Sequence, residues 1–190
     1  MPRTPDPGLE DRIVTAALRL LDQGGEVAVT MRAVALEAAT TTPTIYERFP
    51  DRDALMRQVA RKATDEVIAV IQPLTSVEST VCEFLRFSCA HPLRFNLTVE
   101  TFGARFVAGE RRPAFDLLKA RLTQETGVTG NKCEDLALAI ASLFIGTARG
   151  MVAVGCETRH ARELRRAALS ALRLLLRAFS DAARARARSG

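Results

Sequence analysis

At 190 residues the chain allows one large domain or two small ones, and a 47% hydrophobic content is enough for a buried core. No run of 18 apolar residues occurs, and the start, MPRTPDPGLEDR, lacks the apolar segment of a signal peptide, so the sequence predicts a cytoplasmic chain without a transmembrane helix. The net charge of +5 is not a nucleic-acid footprint by itself: residues 1–62 balance, and residues 159–190 carry +7.

Apolar residues recur at helical period along nearly the whole chain, with no alternating strand pattern, which predicts an all-α protein of about nine helices. The first helix is expected over 9–23, with Ile13, Ala16, Ala17, Leu20 and Leu21 as its inner stripe and Gly24-Gly25 as its stop. A second is expected over 31–38 behind an N-cap at Thr30, and a third over 42–49 behind Thr41. Pro43 then falls in a first turn, where no N–H is needed. Asp51 is placed to cap a fourth helix that runs to Gln72, with Leu55, Val59, Ala63 and Val67 inward.

Further helices are expected over 76–91, 93–102, 114–126, 131–154 and 159–184. A loop over 103–112 and a frayed end from Ala183 complete the prediction. The four cysteines, Cys82, Cys89, Cys133 and Cys156, show no metal-binding spacing. They read as buried reduced thiols, with Cys82 and Cys89, seven apart on one helix face, as the alternative redox pair. His91 and His160 stand apart from any cysteine–carboxylate cluster, so no metal, no cofactor and no catalytic residue is expected.

Three short helices in about the first 50 residues, the second and third joined by a tight turn at Ala39-Thr40, have the layout of a helix-turn-helix. The second helix of that motif enters the major groove. Its free N–H groups favour a phosphate oxygen. Short hydroxyl side chains bond phosphate, and a threonine methyl can touch thymine. The cluster Thr40-Thr41-Thr42-Pro43-Thr44 suits that position.

The run TMRAVALEAATTTPTIYERFPDRDAL resembles the TetR family of bacterial transcriptional regulators, over about residues 9–62. It reproduces a Thr-capped helix, a small-residue turn, a recognition helix ending Ile-Tyr-x-x-Phe, and a short link into a long fourth helix. The family's usual turn glycine is Ala39 here, and alanine resists positive φ.

The resemblance implies roles. Tyr46, Arg52 and Thr30 match phosphate-gripping positions. Thr42, Pro43, Thr44 and Glu47 lie where the family touches bases, with Thr41 as the cap. Arg32 and Arg48 match variable positions that reach a guanine or a phosphate. On the residues alone Tyr46 is also a candidate core aromatic, the capping threonines need be nothing more than caps, and Glu47 either accepts from cytosine N4 or faces solvent.

The resemblance further implies a homodimer on a palindromic operator in double-stranded DNA. A small-molecule effector would be bound by the C-terminal helices. The domain division expected is 1–50 for DNA binding, 51–72 as connection, and 73–190 for ligand binding and dimerisation. Candidate ligand residues are Phe84, Phe87, Phe95, Phe102, Phe106, Phe115 and Phe144, with Arg149 as a buried cation in an apolar helix. Each of these aromatics, taken singly, is equally a core residue. The helices over 131–155 and 159–184 are the dimer candidates. A ligand-independent DNA-binding protein of the same fold is the alternative reading. An all-helical enzyme lacks a nucleophile–base pair or phosphate loop, and a membrane role for the Arg-rich last helix has weaker support.

Overall fold

The computed structural model describes Asp6 and residues 8–108 and 112–187, with the side chains of 102–108 and 183–187 left out. All regular elements among the described residues are helical. They are α1 (Leu9–Gly24), a 3-10 turn (Glu26–Ala28), α2 (Met31–Glu37), α3 (Thr42–Arg48) and α4 (Arg52–Ile71), followed by α5 (Val77–Ala90), α6 (Pro92–Ala108), α7 (Pro113–Thr126), α8 (Gly130–Val154) and α9 (Arg159–Ala187).

The chain divides into two compact units. The first runs to Glu66 and takes in Leu93–Thr101 of α6. The inner faces of its helices meet in one core, with Ile13, Ala17, Val34, Ile45, Leu55, Val59 and Ala63 all sealed from solvent and Leu97 packed beside them. The stripes expected on α1 and α4 are therefore the buried ones, except that Leu20 is only half-buried. Arg94 anchors the α6 segment: its Nη1 donates to Glu66 at 2.6 Å and its Nε to Asp22 at 3.0 Å. One planar guanidinium thus joins α1, α4 and α6, a geometry that lysine cannot reproduce.

The second unit comprises Val67–Pro92 and the chain from Phe102 on. Ser76 caps α5 by accepting from Ser79 N at 3.0 Å, and Gly127, at φ 70°, closes α7 in the left-handed conformation. At the centre, α8 packs against α5, α7 and α9 and buries Cys133, Leu136, Ala137, Ile140, Phe144, Ala148 and Met151. A β-carbon on Gly150 would lie 3.1 Å from Leu164 Cδ1, so the missing side chain lets α8 and α9 approach closely.

Several expectations are corrected here. The loop foreseen from residue 103 is instead a continuation of α6 to Ala108, and residues 109–111 lie outside the described residues. The frayed end foreseen from Ala183 is helical to Ala187, beyond which the chain lies outside the described residues. Cys89 does not stand as a thiol beside Cys82: it is bonded to Cys156, with Cα atoms 5.8 Å apart. Cys82 and Cys133 carry the free thiols. Helical spacing along α5 suggested the wrong partner, because a disulfide is set by tertiary proximity, which sequence spacing does not report.

Finally, α8 has the length and hydropathy of a membrane span, a mean of 1.8 over 18 residues, although charged and polar residues break every continuous apolar run. It is a partly buried core helix.

Candidate nucleic-acid interface

The interface is built by three caps and one strained turn. Thr30 is extended and its hydroxyl accepts from Ala33 N at 3.1 Å, which starts α2. Thr40 N donates to Ala35 O at 2.9 Å and Ala39 N to Leu36 O at 3.2 Å. This is the double closure of a Schellman motif, which requires a left-handed residue at its centre. That residue is Ala39, at φ 51°, the only non-glycine with positive φ among the described residues. The substitution noted in the sequence does not alter the turn; the turn forces the alanine.

Thr41 then caps α3, accepting from Thr44 N at 3.4 Å, and its hydroxyl lies 2.8 Å from that of Thr44. Inside the helix Ile45 is fully buried, and Phe49, just past it, is 3% exposed. With these two facing the core, the other side of the turn-and-helix faces out. Arg32, Thr41, Pro43, Tyr46, Glu47 and Arg48 are exposed, and Thr42 and Thr44 half-buried. Tyr46 is 51% exposed, so it is a surface aromatic and not a core one.

The family-model comparison closes the argument. Residues 13–59, the span from α1 into α4, match the model described as bacterial regulatory proteins, tetR family. The chain carries the DNA-binding domain of the tetR family. It is a DNA-binding transcriptional regulator, of a family that is not enzymatic.

Solved structures share the fold. A TetR regulator from Streptomyces coelicolor is 22% identical over 90% of this chain and 97% of that one, with a TM-score of 0.68. A second tetR-family regulator from that organism is 16% identical over 98% of this chain and 89% of its own, with a TM-score of 0.70. BioQ of Mycobacterium smegmatis is 19% identical over 90% of this chain and 97% of its own, with a TM-score of 0.61. No curated protein matches the sequence.

Within that domain Arg52 is more than a surface cation. Its Nε donates to Val29 O at 2.9 Å and its Nη2 to Glu26 O at 2.7 Å, so the start of α4 is tied to the backbone just before the α2 cap. The link fixes Thr30 relative to α4, whose own first turn is capped by Asp51 Oδ1, 2.6 Å from Ala54 N. Sequence reading placed Arg52 at the start of the fourth helix as a phosphate-gripping residue and missed the carbonyls it holds, which belong to a turn 23 residues or more away.

The ligand candidates of the second half separate. Phe84 and Phe87 of α5 cluster with Val67 and Ile71 at the end of α4, together with Leu117 of α7. Phe115 is buried under the Arg112 guanidinium, 4.4 Å from its ring centre, and Phe144 is buried in α8. Phe95 belongs to the first unit, where it is sealed from solvent. The side chains of Phe102 and Phe106 lie outside the described residues. Arg149, foreseen as buried, is exposed on the outer face of α8.

The buried arginine is Arg121 instead, 5% exposed. It donates to Ile71 O at 2.7 Å, Gln72 O at 3.2 Å and Leu74 O at 2.9 Å, which caps the C-terminal end of α4. Burial pulls its guanidinium below the ordinary arginine value. Its position between Leu118 and Leu122, on one helical face, was the signal that could have found it.

Proposed function

We propose that this regulator acts as a homodimer in the cytoplasm, binds a palindromic operator through paired recognition helices, and is released by a small-molecule effector bound in its C-terminal half. The observation that carries the dimer is the outer face of α8. Ala139, Ser142, Gly146, Arg149 and Ala153 follow one another at alternating steps of three and four residues, and all are exposed. A β-carbon on Gly146 would meet nothing within 4 Å. The small residues on either side of Arg149 suit a second helix packed closely against them. Leu164 and Leu174 on α9 are also exposed, the latter by 64%. A second copy of the chain covers all of these at once under two-fold symmetry.

On DNA, Tyr46 and the α2 and α3 N-termini are assigned to phosphates. Thr42, Pro43, Thr44 and Glu47 are assigned to base edges, and Arg32 and Arg48 to either. Arg52 acts by fixing the junction of α4 with the turn before α2. For release, α4 is the connecting lever. It begins at Arg52 and ends under Phe84, Phe87 and Arg121.

An effector that displaces that end must favour the released state by about 3 kcal/mol for a 150-fold effect. The close burial of Phe87, Phe115 and Phe144 supports a second reading, a regulator of the same fold with a closed core and no effector. Screening small molecules for release of a bound genomic fragment separates the two. Release that persists when α4 is tethered by an engineered disulfide would overturn the lever.

A further inference from the structure

We propose that Cys89 and Cys156 form a reversible thiol–disulfide couple, a redox-modification site in the C-terminal half of this regulator. The inference rests on the DNA-binding function, which places the protein with the genome in a reducing compartment. Disulfides there are rare, and those that form are usually transient and redox-responsive. A pair already brought to bonding geometry in such a protein is therefore a switch in preference to a permanent staple.

The structure places the two residues at joints. Cys89 is the penultimate residue of α5, and Cys156 lies in the short connection between α8 and α9. The bond spans 67 residues of sequence, with Cα atoms 5.8 Å apart, inside the range a disulfide needs. Both residues are only half-buried, so a small thiol or disulfide can reach sulfur. The other cysteines are placed differently. Cys133 is buried, with its sulfur 3.6 Å from Lys119 O, and Cys82 stands two turns back on α5.

What the bond joins gives it a consequence. On one side α5 carries Phe84 and Phe87, which pack on Val67 and Ile71 at the end of α4. On the other is the corner between α8 and α9, the helices assigned to the dimer. The oxidised form pins α5 covalently to that corner; the reduced form leaves only the packing of α5 on α8 and α9 to hold it.

The oxidant is a low-molecular-weight disulfide, and the exchange balances. One cysteine thiolate attacks a sulfur of the small disulfide and expels one thiolate, leaving a mixed disulfide on the protein. The second cysteine thiolate attacks the protein-side sulfur, forms the Cys89–Cys156 bond and expels the other small thiolate. The protein dithiol loses two electrons, the small disulfide gains them, and the two thiol protons end on the two small thiols.

The test is thiol mapping of the full-length protein. It is equilibrated in glutathione buffers from fully reduced to fully oxidised, acid-quenched, alkylated and digested. The Cys89 and Cys156 peptides are expected to convert together and reversibly, with Cys82 and Cys133 alkylated throughout. The melting temperature should rise by roughly 5–10 °C on oxidation. Cys89→Ser and Cys156→Ser should each abolish that rise and keep the reduced protein's melting temperature.

A Cys82–Cys89 bond, or a dithiol that persists in oxidised glutathione, would overturn the site. A bond that survives millimolar reduced glutathione would overturn its reversibility. The mapping is read without DNA, so failure of this couple and failure of operator binding are separate results.

Discussion

Ala39 holds the left-handed centre of the turn at φ 51° without the freedom of glycine. An L side chain there costs about 1–2 kcal/mol, and glycine returns part of that gain as unfolded-chain entropy. Ala39→Gly should therefore stabilise the protein by about 0.5–1 kcal/mol, read as a shift of the urea midpoint at constant slope. A destabilised variant would mean that the Ala39 methyl is needed for packing. Tyr46 and Thr44 divide in a different way. Tyr46→Phe keeps the ring and removes the hydroxyl, so binding should weaken by about 1 kcal/mol for every DNA sequence alike. Thr44→Ala should change preference at one base step. Its hydroxyl also faces that of Thr41, so the two substitutions are best compared by competition between operator variants at one salt concentration. A change of preference in Tyr46→Phe with unchanged affinity would reverse the assignment. At this scale the caps of α2, α3 and α4 were legible in the sequence, because an N-cap is a local bond between a side chain and an N–H three residues on, as at Thr30, Thr41 and Asp51. The reach of Arg52 to the Glu26 and Val29 carbonyls was not, because it depends on how the chain folds back.

The end of α4 is held by Arg121, which donates to three carbonyls. Two effects compete when it is removed. The buried charge no longer has to be desolvated, which favours an apolar replacement. Three backbone acceptors lose charge-assisted donors, which opposes it. The second wins on magnitude, because each such bond contributes more than about 1 kcal/mol. Arg121→Leu should then cost about 2–3 kcal/mol in denaturant melts, with Arg121→Lys intermediate. An Arg121→Leu protein as stable as the parent would show that desolvation cancels the capping. Elements were legible where a stripe repeats at helical period, as Leu55, Val59, Ala63 and Val67 do on α4. The path of α6 beyond residue 102 was not, since Gly103 reads as a breaker and yet sits within the helix. Arg149, expected to be buried, is exposed while Arg121 is buried for a related reason: which face of a helix is covered depends on the neighbours.

For the molecule as a whole, α4 runs without a break from the first unit into the second, and the pairing of Cys89 with Cys156 belongs to tertiary structure. The dimer has its own test. Gly146→Arg adds a side chain where the single chain has open space, and it removes a helix-interior glycine, so folding should be retained or improved. Light scattering should nevertheless show monomers where the parent is dimeric. A Gly146→Arg dimer of unchanged affinity would place the interface elsewhere. Since each recognition helix is only 7 residues long, the monomer should also lose operator binding by two orders of magnitude or more, on the order of 3 kcal/mol. The central claim, that exposed groups around α2 and α3 grip DNA phosphates in two half-sites about 34 Å apart, is tested most directly by the salt dependence of binding to a selected palindromic fragment. Affinity measured by mobility shift between about 50 and 200 mM salt should fall steeply and linearly on a log–log plot, with two chains per fragment, and Tyr46→Phe should weaken binding at every salt concentration. Binding that is insensitive to salt, or that is equal for the palindrome and a scrambled duplex, would contradict the account.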